Sequence, residues 1–343
     1  MTRLLQAMAG ARHGGAEAFF TRLALGLAES QPDLEQRLVI RDHAERAAQL
    51  RQGGIEVTEL PFRNWLDLRT GPALRRILRQ WQPQVVLTWM NRATSAMPSG
   101  RFVRIGRLGG YYDLKYYRRC HHLIGNTRDI VAYLVQQGWP AERAHYLPNF
   151  VEGRTSPALP RASLGTPEDA IVVLALGRLH RVKGFDVLLH AMARAPELHL
   201  WIAGDGPERG TLTAQLHSLG LGGRVRLLGW REDVPALMAA ADMLVCPSRH
   251  EPLGNVVLEA WAQRLPVIAS AAEGPRELIR PGLTGELVPL GDADALAAAM
   301  QSLAADPARR VELAEAAYAA YETDFAAAKV TAAYRELIER VAA

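Results

Sequence analysis

Short apolar runs alternate with amphipathic stretches along almost the whole chain. In the first half, runs at 4–8, 38–40, 55–60, 85–89, 102–108, 123–125 and 145–147 read as strands. A period near 3.6 residues at 15–28, 43–52, 72–80 and 128–137 predicts helices between them. The polar, proline-rich stretch Glu152-Gly-Arg-Thr-Ser-Pro-Ala-Leu-Pro160 then breaks the rhythm and reads as a linker. Beyond it the alternation restarts, with strands at 171–176, 198–203, 225–228, 243–246 and 267–270. Helical patterns follow at 185–193, 209–219, 234–240, 255–263, 295–303, 308–321 and 326–341. Strands that are apolar throughout, separated by helices, are the signature of parallel sheets covered on both faces. The expected architecture is therefore α/β, two doubly wound parallel sheets in tandem, with a ligand site where the carboxyl ends of both sheets face each other.

Composition narrows the class. The chain has 343 residues, 49% of them hydrophobic and 22% charged, enough for two domains that each bury a core. No run of about 18 apolar residues could span a bilayer, and the first residues lack the features of a secretion signal. Two cysteines, Cys120 and Cys246, make no disulfide framework; a cytoplasmic setting is expected, with peripheral contact to the inner membrane as a further option. Residues 1–150 hold 21 Lys/Arg against 12 Asp/Glu, whereas the remainder holds 19 against 24. The basic half carries Arg63, Arg69, Arg75, Arg76 and Arg79 near Trp65 and Trp81. A second set, Arg101, Arg104, Arg107, Lys115, Arg118 and Arg119, lies among Tyr111, Tyr112, Tyr116 and Tyr117. Such interleaving suits an anionic bilayer or a phosphorylated glycan, while a solvated face with arginine favoured by base composition is the plain alternative.

Three segments carry candidate chemistry. Gly14-Gly15-Ala16-Glu17 turns from the first strand into a helix, where close backbone approach and a helix N-terminus favour an anion. Gly177-Arg178-Leu179-His180-Arg181-Val182-Lys183-Gly184 places a guanidinium fork and one of only three lysines around one loop, a pair suited to a diphosphate. Glu251, Leu253, Gly254, Asn255 and Glu259 follow the strand at 243–246. Two carboxylates there bracket a helix N-terminus and can accept bonds from sugar and ribose hydroxyls.

At these residues the chain resembles the family 4 retaining glycosyltransferases, the lipopolysaccharide and polysaccharide enzymes of group 1. The likeness extends through Leu147-Pro148-Asn149, Ala203-Gly204-Asp205-Gly206-Pro207, Pro266-Val267-Ile268-Ala269 and Gly282-Leu-Thr-Gly285. It implies the GT-B fold, two Rossmann-like domains facing a central cleft: 1–152 for the acceptor, 153–325 for the nucleotide sugar, and a final helix, 326–343, packing back on the first. It implies a hexosyl transfer from a nucleotide-diphosphate sugar to a glycan or lipid-linked acceptor in cell-envelope synthesis, with no metal or other cofactor. Arg178 and Lys183 would hold the diphosphate and stabilise the leaving nucleotide, with Gly14 and Gly15 placing backbone amide against the same phosphates. Glu251 would bond the transferred sugar, Leu253–Gly254–Asn255 would cap the phosphates, Glu259 would grip the ribose, and the backbone of Arg231 would meet the nucleobase.

One departure concerns a histidine that many relatives carry after the fifth strand. Here Gly109-Gly110-Tyr111-Tyr112-Asp113 follows, so Tyr111, Tyr112, Asp113 or His13 could occupy its space and no general base is assigned. Asp292-Ala293-Asp294 mimics a metal-binding D-x-D but precedes a helical pattern, which makes Asp292 an N-cap. Cys120-His121-His122 reads as a strand entrance, and Pro207 suits the first position of a helix. Nucleic acid is compatible with the charge but not with the donor-site motifs. Two rivals stay open: a nucleotide-sugar epimerase, which turns over donor alone, and a sugar-nucleotide-binding protein without catalysis.

Overall fold

A computed structural model describes residues 1–12, 14–30, 34–63, 67–153 and 156–342. The chain divides into two units, Met1–Phe150 with Ala327–Ala343, and Val151–Ala326. The division falls two residues before the expected break after 152.

In the first unit β1 (Thr2–Met8) leads to α1 (Gly15–Ser30), β2 (Leu34–Arg41), α2 (Ala44–Gln52), β3 (Glu56–Leu60) and α3 (Thr70–Trp81). Then come β4 (Val85–Trp89), α4 (Met90–Ala96), β5 (Val103–Leu108), β6 (His122–Gly125), α5 (Arg128–Gln136) and β7 (Ala144–Tyr146). Among the described residues these strands form one seven-stranded sheet, β3-β2-β1-β4-β5-β6-β7, with every adjacent pair parallel. Each central strand feeds two apolar layers by alternation. Leu4 and Met8 of β1 join the layer containing Phe19 and Leu23 of α1, while Leu5 and Ala7 join Leu74 and Trp81 of α3. The strand order reverses between β1 and β4, which opens a crevice at their carboxyl ends.

The second unit runs β8 (Ile171–Leu176), α6 (Phe185–Arg194), β9 (Leu198–Ala203), α7 (Arg209–Ser218), β10 (Val225–Gly229) and α8 (Val234–Ala240). It continues with β11 (Met243–Cys246), α9 (Asn255–Ala262), β12 (Val267–Ser270), α10 (Glu273–Leu278), β13 (Glu286–Val288), α11 (Ala293–Ala305) and α12 (Pro307–Asp324). The described strands form a six-stranded sheet, β10-β9-β8-β11-β12-β13, again parallel, with its reversal between β8 and β11. Val173 and Ala175 face one helical layer, Val172 and Leu174 the other.

The last helix, α13 (Ala327–Ala342), belongs to the first unit. Val330, Tyr334, Leu337 and Ile338 enter the layer against α1, and Gly26 leaves room for Thr331, whose Oγ1 would lie 3.2 Å from a Cβ there. Tyr334 also accepts a 2.8 Å bond from Nε of Arg107, which is 1% exposed. The Arg107 guanidinium bonds Asn149 and stacks 4.6 and 4.5 Å from the ring centres of Phe19 and Trp89.

Several elements differ from expectation. Helices α4 and α10 and strand β13 were not predicted, and β2 begins at Leu34 rather than at 38. Pro207 is not the first residue of a helix. Glu208 is the N-cap of α7, and its amide is taken by the Leu179 carbonyl at 3.0 Å. Cys120-His121-His122 does open a strand: His121 Nδ1 accepts from the Arg104 amide at 2.8 Å, and His122 begins β6. Among the described residues no helix is long and apolar enough to cross a membrane.

Candidate active site

The carboxyl edge of the second sheet is built from loops that interlock through glycine. Gly177 follows β8 and Gly204 follows β9, both with φ of +145°. A Cβ on Gly204 would run into the Gly177 carbonyl, and one on Gly206 into that of Leu179. The Leu179 amide bonds the Asp205 carbonyl at 3.0 Å, and its side chain is fully buried, so the loop after β8 is anchored in its middle. Arg178, one residue earlier, is exposed and has no side-chain partner among the described residues. His180 Nδ1 accepts from the Val182 amide at 3.3 Å and starts a short turn, Arg181–Lys183, that ends at Gly184 in the left-handed region. A Cβ on Gly184 would collide with the Pro247 carbonyl, which brings this loop against the one after β11.

That contact sets up the central pair. The Lys183 ammonium donates to Oε2 of Glu251, and Ser248 Oγ donates to the same oxygen at 3.1 Å. The Arg249 fork grips Asp186 of α6 at 2.7 and 2.6 Å, and Arg249 holds the Asp186 carboxyl below its usual range. From the other side Glu273, at the start of α10, accepts from the Glu251 amide at 3.2 Å and lies 2.9 Å from His250 Nδ1. The Gly274 amide returns a 2.7 Å bond to the Glu251 carbonyl. Burial pushes the Cys246 thiol up to about 11, assisted by the Glu251 charge, so it stays protonated and unreactive at neutral pH.

Leu253 is buried against Gly274, and Gly254, with φ of +81°, is the N-cap of α9. Asn255 is the first helical residue and Glu259 lies about one turn along the same helix. No side chain caps α9, so an anion seated at its start would meet the positive end of the helix dipole. Arg231 follows β10; its guanidinium is held by Asp233 at 2.8 and 2.5 Å, beside the exposed Trp230. The Gly204 amide donates to the Gly229 carbonyl at 2.7 Å, which joins that turn to the loop after β9.

In the first unit Gly14 and Gly15 open α1. A Cβ on Gly14 or Gly10 would collide with the Glu17 carboxylate, which folds back to accept from the Ala11 amide at 2.6 Å. The glycines thus make room for a side chain of their own loop. Of the candidates for the missing histidine, Tyr111 bonds Asp129, and Asp113 caps a turn while pairing with Lys115 at 2.8 Å. The half-buried Tyr112 hydroxyl is raised by burial and by Glu17; His13 lies outside the described residues. Asp292 is a helix cap, accepting from the Ala295 amide at 2.9 Å, and Asp294 pairs with Arg194. Among the described residues no group of three or more His, Cys, Asp or Glu could hold a metal.

A family model described as glycosyl transferases group 1 matches residues 159–320. The chain is 38% identical over 332 residues to the lipopolysaccharide core biosynthesis glycosyltransferase LpsE of Rhizobium meliloti, covering 95% of this chain and 96% of that protein. With LpsD of the same organism it shares 37% over 331 residues, 95% of each. The chain is a group 1 glycosyltransferase. A solved structure of Anabaena Alr3699/HepE in complex with UDP-glucose superposes with a TM-score of 0.85 at 22% identity, covering 99% of this chain and all of that one, and its fold is GT-B.

Within this transferase, residues the motifs did not single out hold the central pair: Ser248, Arg249 with Asp186, and His250 with Glu273. Ser248, Arg249 and His250 lie inside the quoted loop, but no spacing connects them to Asp186 or Glu273, 63 and 23 residues away in sequence.

Proposed function

We propose that this transferase moves a sugar from a nucleotide-diphosphate sugar, with retention and without a metal, to a saccharide of the lipopolysaccharide core. The observation that carries the reading is the Lys183–Glu251 pair at the carboxyl ends of β8 and β11, with unpaired Arg178 on the same loop. An arriving diphosphate competes for the Lys183 ammonium, and Glu251 is released to accept a sugar hydroxyl. As the glycosidic bond breaks, charge grows on the departing phosphate, where Arg178, Lys183 and the first amides of α9 stabilise it. The backbone of Arg231 meets the base and Glu259 the ribose. The names of LpsE and LpsD support the acceptor class, and the HepE complex supports a nucleotide-sugar donor.

Metal independence rests on the D-x-D being engaged elsewhere, as a helix cap and an ion pair. Transfer from nucleotide sugars to truncated lipopolysaccharide is therefore expected to persist in EDTA, and proton NMR of the product to show the donor's anomeric configuration. A rate that collapses with EDTA and returns with manganese, or an inverted product, overturns this reading. Epimerised donor in the absence of acceptor would support the epimerase instead.

A lipid-carried acceptor puts the enzyme at an anionic surface, and α3 supplies a face for it. Arg75, Arg76 and Arg79 project on its exposed side with no ion pair among the described residues, the helix has no acidic residue, and Leu68 just before it is 84% exposed. Each arginine near such a surface contributes about 1 kcal/mol. Replacing all three by glutamine is expected to weaken flotation with anionic liposomes by about 100-fold and to remove most of its salt dependence. Flotation indifferent to anionic lipid reduces the patch to a solvated face.

A further inference from the structure

A cavity of about 430 Å³ lies in the first unit, at the carboxyl ends of β1 and β2 and the N-terminus of α2. Its walls combine three arginines, Arg12, Arg41 and Arg46, with two carboxylates, Asp42 and Glu45. Neither motif reading nor the donor site accounts for it.

Arg46 makes the cavity more than a surface dent. It is 9% exposed and has no carboxylate at ion-pair distance. One Nη donates to the carbonyls of Arg12 and Ala11, at 2.9 and 3.4 Å, which leaves the remaining N–H groups of the fork without a partner among the described residues. Burial lowers its pKa, with the Glu17 charge opposing, so an oxyanion in the cavity would favour its charged form. His43 ties the walls together. Its Nδ1 accepts from the Arg46 amide at 3.2 Å and its Nε2 lies 3.1 Å from the Arg12 carbonyl, so one ring bridges the start of α2 and the loop after β1. The amides of Ala44 and Glu45 at the start of α2 have no partner among the described residues.

Arginine forks and free amides select an oxyanion, whereas carboxylates reject a bare anion and accept hydroxyl hydrogens. A ligand that satisfies both carries hydroxyls and an acid on one small frame. We infer that this cavity binds an acidic sugar of the acceptor, its carboxylate or phosphate on Arg46, Arg41 and the α2 amides, its hydroxyls on Asp42 and Glu45. The volume is near the lower end for small-molecule sites and suits one or two sugar units. The inference rests on the acceptor being a saccharide and extends that reading to its charge.

The test uses the full chain saturated with UDP, so that the groups proposed for the donor diphosphate are occupied. Glucuronate, glucose 6-phosphate and neutral glucose are titrated separately and followed by saturation-transfer NMR. The two acids distinguish carboxylate from phosphate as the preferred oxyanion. At least one acid is expected to bind about tenfold or more tightly than glucose. Arg12→Gln with Arg41→Gln, both at exposed positions, is expected to remove that preference while leaving UDP affinity and thermal stability unchanged. Arg46→Lys, which keeps the charge but not the fork, should weaken the acid without affecting glucose. Equal binding of acids and glucose, or an unaltered preference in the double variant, overturns the inference. Failure of UDP to bind would count against the donor site, and the titrations without UDP would still decide this one.

Discussion

Lys183→Ala is expected to lower kcat by about 10²–10³-fold, the loss typical of removing one preorganised group that stabilises developing charge. Its side chain is three-quarters buried and already held at the site by Glu251, so little reorganisation is needed when the phosphate departs. An interaction that strengthens in the transition state appears in kcat, whereas one made equally in ground and transition states appears in KM. Glu259→Ala is therefore expected to raise the donor KM with kcat almost preserved, because ribose does not change as the glycosidic bond breaks. Glu251→Gln should fall between the two and alter the ranking of donor sugars. Steady-state kinetics on variants with unchanged circular dichroism separate these outcomes. A Lys183→Ala enzyme with near-native kcat would remove the diphosphate clamp from the mechanism.

The second large effect is expected at Gly204. Alanine there needs φ of +145° and would drive its Cβ into the Gly177 carbonyl, so either β9 or the Arg178 loop must move. Strain of this kind together with lost packing should destabilise the chain by about 3–5 kcal/mol and abolish nucleotide binding. Gly210→Ala is the matched control. It lies in α7 with nothing within 4 Å of a Cβ, and should stabilise by about 0.5–1 kcal/mol. Urea titrations of the two variants are expected to move in opposite directions; a neutral Gly204→Ala would mean that the two loops are not interlocked.

Elements were legible where one local pattern determined them. β1, β4 and β8 are buried on both faces, and a strand with no polar face must be written as an apolar run. Helix α4 escaped because it starts directly from β4, with Met90 at φ of +59° and no polar cap to announce it. β13 has only three residues, too few for alternation to register. At the site, the motifs named Lys183 and Glu251 separately. Their pairing joins positions 68 residues apart and depends on Gly184 lying against the Pro247 carbonyl, a contact made by tertiary packing. The basic patch shows the reverse failure. Arg107 was counted with exposed cations, yet its stem is in a strand and its fork is stacked between aromatic rings, which composition alone could not reveal.

The membership of α13 in the first unit has a consequence for biosynthesis. A ribosome completes 1–150 first, but the apolar layer over β1 and β4 then lacks Val330, Leu337 and Ile338, and Arg107 lacks the Tyr334 hydroxyl. At ~5–20 residues per second, the whole second unit must be translated, for ~10–40 s, before that helix emerges. The unit begun first is thus finished last, while the continuous second unit can fold during elongation. Nascent chains stalled before residue 327 should expose the α1 face to proteases and chaperones, and release of the last helix should close it.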